Sequence, residues 1–224
     1  MILQPLICFD NFYDDPDAVR DYALSLDYSE CGAFPGVRTE ALHKFDKEFF
    51  YRSCYKFLSL FLDLDFEKVE WQILSQFQKI YRYSEDKSSP SNTGWVHADS
   101  DFMSAVVYLN HNPNPDSGTS LYSSTKDVII DMSPTDELRN SFFQNKLVTP
   151  SSYEEELLKN NSFFEKTVEI KNVYNRIIMY DSNQYHAQDN YWMDNEDFRL
   201  TQVFFLQKLQ AKNVPSERCK MHGI

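Results

Sequence analysis

Residues 94–110 read GWVHADSDFMSAVVYLN, and the way this stretch folds decides the rest. Its later part, FMSAVVYLN, is an apolar run that reads as a buried strand. His97 and Asp99 stand directly ahead of it, two residues apart. On extended backbone, residues i and i+2 point to the same face, so an imidazole and a carboxylate can be offered to one point.

Working outward, HNPNPDSG (111–118) breaks the chain with two prolines and a glycine, and a turn must link the strand to TSLYS. Upstream, SEDKSSPSNTG (84–94) is a polar loop. Before it, WQILSQFQKIYRY (71–83) alternates Trp71, Ile73, Ser75, Phe77 and Tyr81 against Gln72, Gln76, Gln78 and Arg82, the period of a strand. Strand character returns in KTVEI, NRIIMYD and RLTQVFFLQ. Between these groups, residues 126–165 carry helical signals, with Ser152 and Glu155 spaced as a capping box.

The N-terminal part is helical in pattern. In DDPDAVRDYALSLDY, Asp15 is placed to cap, Pro16 suits the first helical position, and Ala18, Tyr22 and Leu26 recur at fourfold spacing, with Val19 and Ala23 widening the face. A second helix is expected over 46–62, where Phe50, Cys54, Phe57 and Phe61 share a stripe. CGAFPGVRTEAL between them is a loop. The expectation is one domain over 1–224, mainly β with flanking helices: a helical part at 1–68, then a sandwich or barrel at 69–210 with a helical insertion at 126–165.

Charge narrows the function. The 224 residues carry a formal net charge of -12 and a sequence pI near 4.8, which disfavours nucleic acid and anionic membranes as partners. The N-terminus lacks a basic region ahead of its apolar residues, and FLSLFLDLDF is interrupted by Asp63 and Asp65, so neither a secretory signal nor a membrane span is expected and the location reads as cytoplasmic. Cys8, Cys31, Cys54 and Cys219 form no C-x-x-C pair and read as reduced structural thiols.

H-x-D alone is weak evidence of a metal site, and its value depends on its company. The chain has five histidines, and His186 follows an apolar strand, where its side chain can turn inward at a barrel mouth. Two histidines and one carboxylate on one face of an octahedron suit non-haem Fe(II), whereas a closed zinc site would want a fourth protein ligand. Thirteen residues beyond His186, Arg199 and Thr201 share a strand face with Val203 and Phe205. A guanidinium beside a hydroxyl can grip a carboxylate. His43, His111 and His222 have no partner at ligand spacing.

The order YRYSED, GWVHAD, VVYLN, YDSNQYHA, RLTQVFF resembles the Fe(II)- and 2-oxoglutarate-dependent dioxygenase superfamily, and within it the prolyl-hydroxylase-like branch, over about residues 70–210. The segments DDPDAVRDYALSL and FPGVRT also resemble an uncharacterised group of 2-oxoglutarate/Fe(II) oxygenases. The resemblance implies a double-stranded β-helix, a jelly roll with iron at one mouth. It implies His97, Asp99 and His186 as the metal ligands, with Arg199, Thr201, Tyr108 and Tyr83 around 2-oxoglutarate. The activity implied is hydroxylation of a small-molecule or peptidyl substrate, with succinate as co-product. Two other readings stay open: a cupin-like metal enzyme that does not use 2-oxoglutarate, and a non-catalytic jelly-roll binding module. Trp95, Trp192, Met193 and Arg38 are candidates for substrate contact, and the insertion is a candidate lid.

Overall fold

The computed structural model describes residues 6–64, 68–125, 133–145 and 148–211. Cys219, His222 and residues 126–132 and 146–147 of the insertion lie outside them. Ten strands are present among the described residues: β1 (Leu6–Phe9), β2 (Tyr28–Glu30), β3 (Val37–Thr39), β4 (Glu70–Tyr81), β5 (Met103–Tyr108), β6 (Thr119–Ser124), β7 (Phe164–Ile170), β8 (Ile177–Asp181), β9 (Tyr185–Gln188) and β10 (Phe198–Gln210). They form a seven-stranded sheet in the order β1-β8-β5-β10-β4-β3-β2 and a three-stranded sheet in the order β7-β6-β9. Every pairing is antiparallel.

From β5 onward the chain passes repeatedly between the sheets: β5 lies in the large one, β6 and β7 in the small one, β8 in the large, β9 in the small and β10 in the large. This alternation makes a jelly roll. Residues 94–97 add a further extended segment to the small sheet. Gly94 donates its N–H to Gln188 O at 2.8 Å, and His97 and His186 exchange backbone bonds at 3.1 and 2.8 Å. A Cβ on Gly94 would lie 2.5 Å from Gln188 O, so only glycine allows so close an approach.

Helices α1 (Pro16–Ser25), α2 (Leu42–Phe45) and α3 (Lys47–Leu58) belong to the N-terminal part, and α4 (Ser133–Asn140) and α5 (Pro150–Asn161) to the insertion. Residues of α1 and α3 pack on one face of the large sheet, where Val19, Ala23, Cys54, Phe57 and Leu58 join Phe77, Val107, Phe204 and Leu206 in the main core. Phe57 stacks on Phe204 with centroids 5.2 Å apart. Burying each such ring stabilises the fold by about 1.5–3 kcal/mol. The opposite face of β4 and β10 turns Leu74, Gln78, Val203 and Phe205 toward a cavity. The period of two in both strands thus separates a helix-packed side from a cavity side.

Several expectations need correction. Asp15 does cap α1, accepting the Ala18 N–H at 3.0 Å, but the buried positions are Val19 and Ala23 while Ala18 faces solvent. The helix expected over 46–62 begins after Asp46 and ends at Leu58. Asp46 is its cap, accepting from Phe49 N–H at 3.0 Å, and it also accepts the Tyr22 hydroxyl at 2.8 Å, tying α3 to α1. In the insertion the cap of α5 is Thr149 rather than Ser152, because Pro150 takes the first helical position and Thr149 accepts the Ser152 N–H. The N-terminal part is not only helical: β1 pairs with β8, and β3 pairs with β4. Cys54 is a buried thiol as expected, whereas Cys8 and Cys31 are exposed, and all three are free. No helix among the described residues is long and apolar enough to cross a membrane.

Candidate metal centre

His97, Asp99 and His186 meet at one end of the inter-sheet space, with one ligand atom from each lying within 4.8 Å of the others. His97 Nε2 is 3.6 Å from Asp99 Oδ1, and His186 Nε2 is 3.5 Å from Asp99 Oδ2. The backbone pairing of His97 with His186 sets the two rings side by side, with centroids 4.4 Å apart. Each Nδ1 faces a main-chain carbonyl at 2.8 Å, Trp95 O for His97 and Gln184 O for His186. A carbonyl can only accept, so both Nδ1 atoms carry a proton, and Nε2 is the atom each ring would offer to a metal. Asp99 is held by its own N–H, which donates to Ser182 O at 2.8 Å, and by a longer contact from the Ser104 hydroxyl at 3.4 Å.

Burial, with Arg139 and His186 adding to it, pushes the His97 pKa down to about 3, so its imidazole is neutral at pH 7. For Asp99, burial would raise the pKa, but His186, His97 and Arg139 outweigh it and hold the carboxyl below its usual range. Two imidazoles and one carboxylate, with no fourth protein ligand in the group among the described residues, match an open three-ligand metal set.

The cavity beside the three residues has a volume of about 380 Å³ and is lined, among others, by Arg38, Gln78, Ser104, Arg139, Tyr180 and Phe205. Arg199, Thr201 and Tyr108 are brought together but are not among its lining residues. Arg199 is 2 % exposed, donates from Nε to Ser117 O at 2.8 Å, and has Nη2 3.5 Å from Thr119 Oγ1. The Tyr108 hydroxyl donates to that same Thr119 oxygen at 2.9 Å. Among the described residues Arg199 makes no ion pair, and the buried Thr201 hydroxyl has no hydrogen-bond partner. Burial lowers the pKa of Arg199 and raises that of Tyr108 to about 12, so the pair is guanidinium and phenol at neutral pH.

Tyr83 stands elsewhere. Its hydroxyl accepts the Gly36 N–H at 2.7 Å, its ring packs on Phe142, Phe143 and Tyr191, and it does not line the cavity. Of the substrate-contact candidates only Arg38 lines it. Trp95 is buried against Tyr153, Trp192 bonds Asp194 through its indole N–H, and Met193 is buried. Tyr180 and Arg139 are among the lining residues that were not foreseen. Tyr180 lies against His186 with centroids 4.7 Å apart, and alternation along NRIIMYD could have placed it on the inner face. Arg139 comes from α4, and nothing local in the sequence ties that helix to the cavity.

The fold recurs in solved structures that hold a metal and 2-oxoglutarate. HygX from Streptomyces hygroscopicus, with nickel and 2-oxoglutarate bound, is similar at a TM-score of 0.54 and 10 % identity, over 91 % of this chain and 83 % of that one. The epimerase SnoN, in complex with Fe3+, alpha ketoglutarate and nogalamycin RO, is similar at a TM-score of 0.52 and 12 % identity, over 94 % of this chain and 82 % of that one. A search of curated protein sequences finds no match. The chain belongs to the family described as "Family of unknown function (DUF6445)", whose model matches residues 3–205.

Proposed function

We propose that this chain is an Fe(II)- and 2-oxoglutarate-dependent oxygenase that hydroxylates a small-molecule or peptidyl substrate. The observation that carries the reading is the His97–Asp99–His186 set, with both Nδ1 atoms committed to main-chain carbonyls and both Nε2 atoms facing the carboxylate. His97, Asp99 and His186 would hold the iron. Arg199 and Thr201 would receive the far carboxylate of 2-oxoglutarate, since among the described residues the buried guanidinium has no ion pair and the buried hydroxyl no hydrogen-bond partner. Iron with 2-oxoglutarate supplies oxidation of a substrate C–H bond by O2, coupled to decarboxylation of 2-oxoglutarate to succinate.

The protein's own work is positional. The main-chain bonds to Nδ1 fix both imidazole planes, and the Ser182 carbonyl fixes the backbone at Asp99. Tyr108 and Ser117 orient the guanidinium side of the co-substrate site, Tyr108 acting through Thr119. The net charge of -12 leaves nucleic acid and membrane surfaces outside this reading, and the free thiols suit a reducing, cytoplasmic location.

Anaerobic titration of the Fe(II) protein with 2-oxoglutarate should give a weak visible charge-transfer band, and Arg199→Ala should weaken co-substrate affinity by roughly tenfold to a hundredfold while metal affinity holds. Aerobic succinate release, scanned over candidate acceptors, then tests turnover. A second reading, a metal enzyme of the same fold without 2-oxoglutarate, is favoured by the cavity lining stopping short of Arg199. Absence of the band together with intact metal binding would select it.

A further inference from the structure

Besides the three ligands, Arg38, Arg139 and Asp101 bring charge to the cavity lining. Neither arginine belongs to the jelly-roll strands that carry the ligands: Arg38 lies on β3 near the sheet edge and Arg139 on α4 of the insertion. Arg38 is held in place by its loop. Gly36 has φ +74°, and a Cβ there would lie 2.0 Å from Lys79 O, so FPGVR can follow β4 this closely only with glycine at that position. Gln78 Nε2 donates to Pro35 O at 2.7 Å, and Gly36 N–H donates to the Tyr83 hydroxyl at 2.7 Å, which clamps the loop from two sides.

The guanidinium of Arg38 lies over the Phe34 ring at 3.8 Å and the Phe205 ring at 5.1 Å. Ring contacts fix its position without using its hydrogen-bond donors. Among the described residues none accepts a hydrogen bond from it, none pairs with it as an ion, and its Nε–H is buried without a partner. Burial draws its pKa down to about 10, with Asp99 opposing the shift and Arg139 adding to it, so it stays charged at neutral pH. A fixed guanidinium with free donors, at the wall of a cavity that also holds a metal-ligand set, lacks a planar anion.

We propose that Arg38, with Arg139 beside it, receives a carboxylate of the primary substrate, and that this substrate is a small carboxylic acid of about amino-acid size. The cavity, about 380 Å³ and near the lower end of small-molecule sites, sets the upper bound on that size. The inference rests on the oxygenase reading for which cation serves which acid: Arg199, buried behind the lining, takes the co-substrate, and Arg38, on the lining, takes the substrate.

Full-length protein loaded with Ni(II) and 2-oxoglutarate is titrated calorimetrically with amino acids, 2-hydroxy acids and short fatty acids, each as the free acid and as its primary amide. The expected result is that at least one acid binds and its amide binds roughly tenfold or more weakly. In Arg38→Gln that acid should lose roughly tenfold to a hundredfold in affinity, and Arg38→Lys should restore part of it. The proposal is overturned if no acid binds, if acid and amide bind alike, if Arg38→Gln leaves the acid's affinity unchanged, or if Arg38→Gln weakens 2-oxoglutarate instead. Should circular dichroism show Arg38→Gln unfolded, Arg38→Lys and Arg139→Gln carry the test, and both must weaken the acid more than the amide. Wild type that binds the acid through Arg38 but no 2-oxoglutarate would sink the oxygenase reading and leave the carboxylate site standing.

Discussion

Between the helices and the large sheet lies a layer built of Phe57, Phe77, Leu58, Val107 and Phe204, all fully buried. Between the two sheets lies another, in which Arg199, Thr201, Tyr108 and His186 are nearly as inaccessible. The first layer removes apolar surface from water and loses nothing in hydrogen bonding. The second buries ionisable groups at a desolvation cost that its own bonds only partly offset, with Thr201 left unpartnered. Strands β4 and β10 face both layers, so one period-two pattern supplies stability on one side and chemistry on the other.

The sharpest separation of the layers comes from Asp99→Ala. Ni(II) binding and turnover should vanish while the apo protein stays folded, losing only the stability that goes with a carboxylate whose pKa His186, His97 and Arg139 hold down. In wild type, metal at a hundred times its Kd should add about 2.7 kcal/mol of stability that this variant never gains. Phe57→Ala should do the reverse, lowering unfolding free energy by about 3–5 kcal/mol in a denaturant titration while the folded fraction binds metal normally. A metal affinity that falls with Phe57→Ala would mean the layers are coupled.

Asn92 probes a polar group that is fully satisfied. Its side-chain oxygen accepts from Tyr83 N–H and Ser84 N–H, and its amide donates to Ser84 O and Asp86 O, ordering the loop that leads into the His97 segment. Asn92→Ala should cost about 1–3 kcal/mol and weaken metal binding as well, unlike either variant above. Smallest is Asp15→Ala at the start of α1, expected to cost about 1 kcal/mol in thermal melts with no effect on the metal.

The same comparison explains what the sequence discloses. Strands with a long period-two pattern, such as β4 and β10, are legible because both of their faces are buried for distinct reasons. His97 and Asp99 are legible for a similar reason, since two-residue spacing on extended backbone puts both on one side. The strands β1, β2 and β3 span three or four residues, too few for a period to show, and exist only because distant partners such as β8 and β4 accept their hydrogen bonds. Ser152 looks like a helix cap until the proline at 150 is weighed, whose fixed φ starts the helix there. Arg139 reaches the cavity through the packing of a whole insertion, which no local pattern encodes. Tyr83 lies away from the cavity, where its hydroxyl accepts the Gly36 N–H, a placement that the spacing of YRYSED does not disclose.

The imidazoles of residues 97 and 186 sit on opposed main-chain positions that exchange N–H and C=O. Their separation is therefore a property of the ladder, insensitive to rotamer fluctuations farther out. On heating, chelation by this pair should persist until the strands themselves part, so loss of metal and loss of β-structure should fall at one temperature.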